Sequence, residues 1–255
     1  MRTALRAGLA GHSVVLAALL LTGCGGTQDS PDPGRPAASG HPSDTPVTAP
    51  GVDGDSDPGR LFTERELKAA LPPAKVLGGQ AEVTEVSTGL FGRYGGGDWS
   101  QCGPAADLRR ELSGFQAASA QQTVRLAGAG EDRPTATVQL VSMPAARAER
   151  YLEVRRRLHE VCPQVTVDTE AAPVQEHHEA QEVTALGDEA LLEVSRLTGG
   201  DEYDGAPSYT VDVRVGGVLA IVSPEGDRQT GISLAARTAA HLRTELYAPD
   251  GSTGS

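Results

Sequence analysis

Residues 209–223, YTVDVRVGGVLAIVS, leave this chain little conformational choice. Two runs of mainly β-branched residues flank Gly216-Gly217, a pair that tolerates positive φ at both positions of a two-residue hairpin turn. With the turn placed there, Val215 faces Val218, Val213 faces Ala220 and Val211 faces Val222, all on one side. The other side is mixed, with Asp212 and Arg214 opposite Ile221 and Leu219.

The remaining elements arrange themselves around that hairpin. Thr63 and Glu66 make a capping-box pair, and Phe62 with Leu67 suits a hydrophobic staple, so a helix should run over 64–71 until Pro72-Pro73 stop it. Strands are expected over 81–87, 115–126, 135–142, 165–169 and 190–197, with a short helix over 107–112. The most regular helix spans 145–161. Tyr151, Val154, Leu158 and Val161 fall on one face, while Arg150, Arg155, Arg156 and Arg157 read as a solvated surface rather than an anion site. A last helix over 233–246 should bury Ala235, Thr238, Leu242 and Leu246. Strands and helices interleave without a regular βαβ rhythm, so the fold class is α+β: a mainly antiparallel sheet with packed helices.

The N-terminus has the parts of a secretory signal. Arg2 and Arg6 precede the apolar run Val14 to Leu21, which is shorter than the ~20 residues of a membrane span. Leu21-Thr22-Gly23-Cys24 resembles the lipobox of bacterial lipoproteins, whose cysteine is lipidated and becomes the N-terminus. The alternative is a secreted protein with a stray cysteine. Two acyl chains on Cys24 would anchor the protein to the membrane without spanning it. The expected organisation is signal peptide 1–23, lipidated Cys24 with a disordered Gly/Pro/Ser/Asp-rich linker 24–60, a folded domain 61–247 and a disordered tail 248–255. Within the linker, Asp53, Asp55, Asp57 and Glu64 have the spacing of a calcium loop. Pro58 stands where that loop needs glycine, so a solvated acidic linker is the better reading.

Composition narrows the partners. The formal charge is −12 and becomes two units more negative once Arg2 and Arg6 leave with the signal. A chain this acidic is a poor partner for nucleic acid or anionic lipid surfaces. Lys68 and Lys75 are the only lysines and asparagine is absent, a bias that fits a GC-rich actinobacterial source. With Cys24 assigned to lipid, Cys102 and Cys162 remain, and on the oxidising side of a membrane a disulfide between them is the default. A metal site using His159 and Cys162 is the rival, with two ligands too few for zinc.

Recognisable chemistry is scarce. No G-x-S-x-G, S-x-x-K, Walker loop or dinucleotide fingerprint occurs. QEHHEAQE, 175–182, is the one dense run of possible ligands; an exposed acidic loop is the simpler reading, and as a strand it would send His177 and His178 to opposite sides. No carboxylate pair stands out as buried. These absences point away from an enzyme, and no cofactor or metal is expected. The aromatic residues Phe91, Tyr94 and Trp99 cluster in the glycine-rich GLFGRYGGGDW, where mobile backbone and ring area suit ligand contact. Alternatively Trp99, three residues before Cys102, packs on the disulfide.

Trp99 to Cys102, the Cys102/Cys162 pair, AARAERYLEVRRRLHEVC, LGDEALLEV and the VDVRVGGVLAIV hairpin with its terminal helix form a pattern of order and spacing over 61–247. It resembles the extracellular sensor domains of actinobacterial PknH-type Ser/Thr kinases and stand-alone lipoproteins sharing that domain. The resemblance implies an α+β domain with a cleft for an extracellular ligand. It departs from those kinase domains in having one cysteine pair rather than two disulfides, and it carries no kinase. The expected function is therefore a non-enzymatic binding or sensing lipoprotein on the outer face of the cytoplasmic membrane. Its partners would be the membrane, through the lipid, and an extracellular ligand or a membrane protein. A lipid or glycolipid carrier is the first alternative, a cell-wall hydrolase the second.

Overall fold

The computed structural model describes residues 58–91, 99–128, 133–168, 173–199 and 205–247. The signal sequence, Cys24, Asp53, Asp55, Asp57, Tyr94 and the tail 248–255 lie outside the described residues. Eight strands form one antiparallel sheet: β1 (Glu82–Thr88), β2 (Ala118–Arg125), β3 (Thr135–Ser142), β4 (Gln164–Val167), β5 (Val174–Glu182), β6 (Glu189–Thr198), β7 (Pro207–Val215) and β8 (Val218–Pro224). Their spatial order is β1-β2-β3-β8-β7-β6-β5-β4. Two meanders, β1 to β3 and β4 to β8, therefore meet along the β3–β8 seam. Five helices cover the sheet: α1 (Glu64–Ala69), α2 (Ala74–Leu77), α3 (Ala106–Ser113), α4 (Ala145–Val161) and α5 (Arg228–Leu246).

The hairpin has the register its sequence requires, with Val215 opposite Val218, Val213 opposite Ala220 and Val211 opposite Val222. Its turn needs positive φ at Gly216 only, at 56°. Gly217 is required for a different reason: a Cβ there would lie 2.5 Å from the Met143 carbonyl oxygen.

Alternation along the strands divides the protein into two cores. On one face, Val211, Val213, Val215, Val218, Ala220 and Val222 join Ala136, Val138, Leu140 and Leu192 beneath α1 and α5. The capping box on α1 is complete: Thr63 Oγ1 accepts from the Glu66 amide, and the Thr63 amide donates to the Glu66 carboxylate. On the other face Val141, Leu191 and Leu219 pack under α4 with Trp99, Phe115 and both cysteines. Cys102 and Cys162 form a disulfide with Cα atoms 6.2 Å apart, closing the chain from the segment before α3 to the end of α4.

Several expectations need correction. QEHHEAQE is not a loop but most of β5, hydrogen-bonded on one side to β4 and on the other to β6. Neighbouring strands satisfy its backbone, which overrides its polar composition. The last helix starts at Arg228, not at Ser233, because Asp227 caps it by accepting from the Thr230 amide at 2.8 Å. The glycine inside that first turn, Gly231, lies where a Cβ would come within 3.1 Å of Pro224. The α1 reading ran two residues too far, and α2 beyond Pro73 was not foreseen. On α4, Val161 is 38% exposed, while Arg155, assigned to the solvated surface, is buried.

Candidate functional site

The second sheet face holds the site, and the α-helical repeat of α4 builds half of it. Tyr151, Arg155 and His159 follow one another at four-residue intervals, so they stack along one side of the helix. All three are buried against the sheet. Beneath them, β6 and β7 pair so that Glu193 lies opposite Thr210 and Leu191 opposite Asp212. Glu193 and Asp212 are thus diagonal neighbours on the same face, within reach of each other. The structure therefore does contain a buried carboxyl pair, contrary to the sequence reading. Alternating polarity in VDVRV shows that Asp212 leaves the apolar face; only the position of α4 shows that it is buried.

Glu193 is fully engaged. Arg155 donates from Nε to one carboxylate oxygen at 2.7 Å and from Nη2 to the other, and His159 Nε2 lies 2.7 Å from the second oxygen. Burial alone would raise the Glu193 pKa, but the Arg155 charge and the hydrogen bonds from His159 and Arg155 outweigh it and hold the group ionised. The Arg155 pKa is raised despite its own burial, chiefly by Glu193.

Asp212 has the opposite environment. It is 1% exposed, and neither carboxyl oxygen accepts a hydrogen bond among the described residues; when protonated, the carboxyl donates to Glu193. Burial, and then the charge of Glu193, push its pKa well above the usual carboxylate range, with Arg155 opposing only in part. Asp212 is accordingly far harder to ionise than the glutamate beside it. Burial likewise pushes the Tyr151 phenol up, so it stays protonated.

Asp212 faces a cleft of about 350 Å³. Phe91, Trp99, Tyr151, Leu112 and Ile221 supply apolar wall, and Arg109, Gln139, Thr210 and Ser223 are among its polar lining. That volume is in the range of small-molecule sites. Helix α3 is held on α4 at the cleft by a paired ion bridge, Arg150 Nε to Glu111 at 2.6 Å and Nη2 at 2.7 Å. Arg150 thus braces two helices instead of lying free on a solvated face.

Of the aromatic residues singled out by sequence, Phe91 and Trp99 both line this cleft, and Tyr94 lies outside the described residues. Phe91 also packs on Tyr151, with ring centroids 5.7 Å apart. Trp99 is only 5% exposed and shares its core with Cys102 and Cys162, so the packing role assigned to it holds alongside its place in the cleft. Its ring stacks on His178 at 4.1 Å and meets His159 edge-on at 5.0 Å. His177 points elsewhere and bonds Thr198 at 2.9 Å, as strand alternation demands. Cys162 is consumed by the disulfide, which removes it as a metal ligand. Among the described residues no group of three or more His, Cys, Asp or Glu side chains is placed to hold a metal ion.

No family model and no curated protein matches this sequence. Among solved structures, the extracellular domain of PknH from Mycobacterium tuberculosis is similar with a TM-score of 0.45 and 11% identity, covering 72% of this chain and 98% of that one.

Proposed function

We propose that this chain is a non-enzymatic binding or sensing lipoprotein, held at the outer face of the cytoplasmic membrane through Cys24, and that the cleft on the second sheet face is its ligand site. The observation that carries this reading is Asp212: a buried carboxyl whose oxygens accept from no donor among the described residues, facing a cleft walled by three aromatic rings. An unmet buried polar group costs on the order of 1–3 kcal/mol, a cost that a ligand would relieve. Binding is favoured over catalysis because Arg155 and His159 engage the neighbouring Glu193, leaving Asp212 as the one acid lining the cleft among the described residues. The modest volume and polar lining disfavour the lipid-carrier alternative. The resemblance of Leu21-Thr22-Gly23-Cys24 to a lipobox supports anchoring by lipid.

Trp99 is the only tryptophan, so its emission reports on the cleft directly. Small-molecule fractions of the cell envelope should shift that emission. Thr210→Phe, which fills the cleft, should abolish the shift while leaving thermal stability nearly unchanged. If no fraction moves the emission, or if the filled variant responds like the parent, the cleft is not the ligand site.

A further inference from the structure

We infer that the cleft recognises a protonated amine carried on an apolar or aromatic body, with the ammonium seated on Asp212. The inference rests on the cleft being the ligand site and adds the chemical class of what enters it. Three observations converge on it. The Asp212 carboxyl oxygens are buried and accept from no donor among the described residues, and Asp212 is part of the cleft lining. Phe91, Trp99 and Tyr151 line the same space, and aromatic faces attract cations through their negative quadrupole. The strongly acidic chain raises the local concentration of cations over anions.

Of the two arginines that line the cleft, the one nearer Asp212 is matched by a carboxylate and the other is not. Arg155 directs Nε and Nη2 to Glu193, so its charge is matched by a carboxylate that touches it. Arg109 donates from Nη1 to the Ser100 carbonyl at 3.1 Å but has no ion pair among the described residues, and its buried Nε has no hydrogen-bond partner there, so it is the group that competes for an anion. With Asp212 neutral, the Glu193–Arg155 pair leaves the floor of the cleft balanced. A ligand cation balances it again once Asp212 gives up its proton, and burial strengthens the resulting ion pair. The proton passes to solvent: the carboxylic acid becomes carboxylate, and the ammonium keeps all of its own hydrogens. An anionic ligand would instead meet the Glu193 charge and leave Asp212 unable to ionise.

The titratable groups facing Asp212 are Glu193 from β6 and Arg155 and Tyr151 from α4, with His159 acting through Glu193. None of these needs to change state for the exchange. Asp212→Asn preserves size and replaces the ionisable carboxyl with an amide that cannot lose a proton and still offers a donor to Glu193. Because the acid is held neutral at a cost that grows as pH rises, that variant should fold at least as well as the parent at neutral pH.

The test uses three probes on the same three-carbon phenylpropyl skeleton: 3-phenylpropan-1-amine, 3-phenylpropan-1-ol and 3-phenylpropionate. Each is titrated calorimetrically into the purified full-length chain at pH 7, in two buffers of different ionisation enthalpy. The amine should bind at least tenfold more tightly than the alcohol or the acid, and close to one proton should be released per amine bound. Asp212→Asn should lose both the preference and the release. Equal binding of amine and alcohol without proton release would overturn the amine assignment and leave the cleft as a ligand site. Preference for 3-phenylpropionate would overturn it in favour of an anion at Arg109. Binding of none of the three at millimolar concentration would overturn the amine assignment, while the envelope-fraction titration decides the cleft separately.

Discussion

His178 shows how much one residue's position decides. Its side chain is buried beneath Trp99, and desolvation, followed by the nearby His159, lowers its pKa to about 4. The unfolded value is near 6.5, so the folded state resists protonation. The stabilisation of neutral His178 is complete above about pH 6.5 and is lost as pH falls toward 4, on the order of 3 kcal/mol in all. Urea midpoints at pH 7.5 and pH 5 should therefore differ, and His178→Gln should flatten the difference. A variant with the same pH slope as the parent would show that other groups set it. Glu193, His159 and Glu176 surround His178 and set the background against which that slope is read. Sequence placed His177 and His178 on opposite sides only if the segment were a strand. It could not reveal which histidine lies inside, since that depends on α4 passing over β5.

At the scale of elements, patterns carried by neighbours in sequence were readable and patterns carried by partners were not. The hairpin, the capping box and α4 all follow from local chemistry, and each appears with little or no shift in its boundaries. Strand β5 was missed because its pairing with β4 and β6 supplies what its composition withholds. Arg155 was misplaced because helical spacing puts it next to the apolar stripe and its buried partner comes from a distant strand. The Cys102–Cys162 bridge joins two such elements across 60 residues. Loop-closure entropy over that span is worth roughly 4 kcal/mol. Replacing both cysteines with serine should lower the unfolding free energy by an amount of that order, read as a fall in the urea midpoint. It should also change Trp99 emission, because Trp99 packs in the core that contains the bridge. A stability loss with unaltered emission would mean that the bridge does not hold the cleft wall.

For the whole molecule, the proposed anchor and the proposed site are separable. Cys24→Ala should release the chain from the membrane fraction, while probe binding in the cleft stays unchanged. Retention of that variant in membranes, with no acyl mass on the parent, would remove the lipoprotein reading and leave the binding domain untouched. The sheet itself has a consequence in time. The two meanders meet only where β3 lies against β8, pairing Ala136 with Pro224 and Ser142 with Val218. Tyr247, at the end of the described chain, then locks the hairpin by donating to the Val215 carbonyl and accepting from the Gly217 amide. Contacts between positions so remote in sequence form slowly. A ribosome or export channel still holding the last helix holds back its packing and the Tyr247 lock. Until β8 is free, the N-terminal meander waits with its β3 edge open, and the protein is most exposed to proteases and to its own copies before that pairing forms.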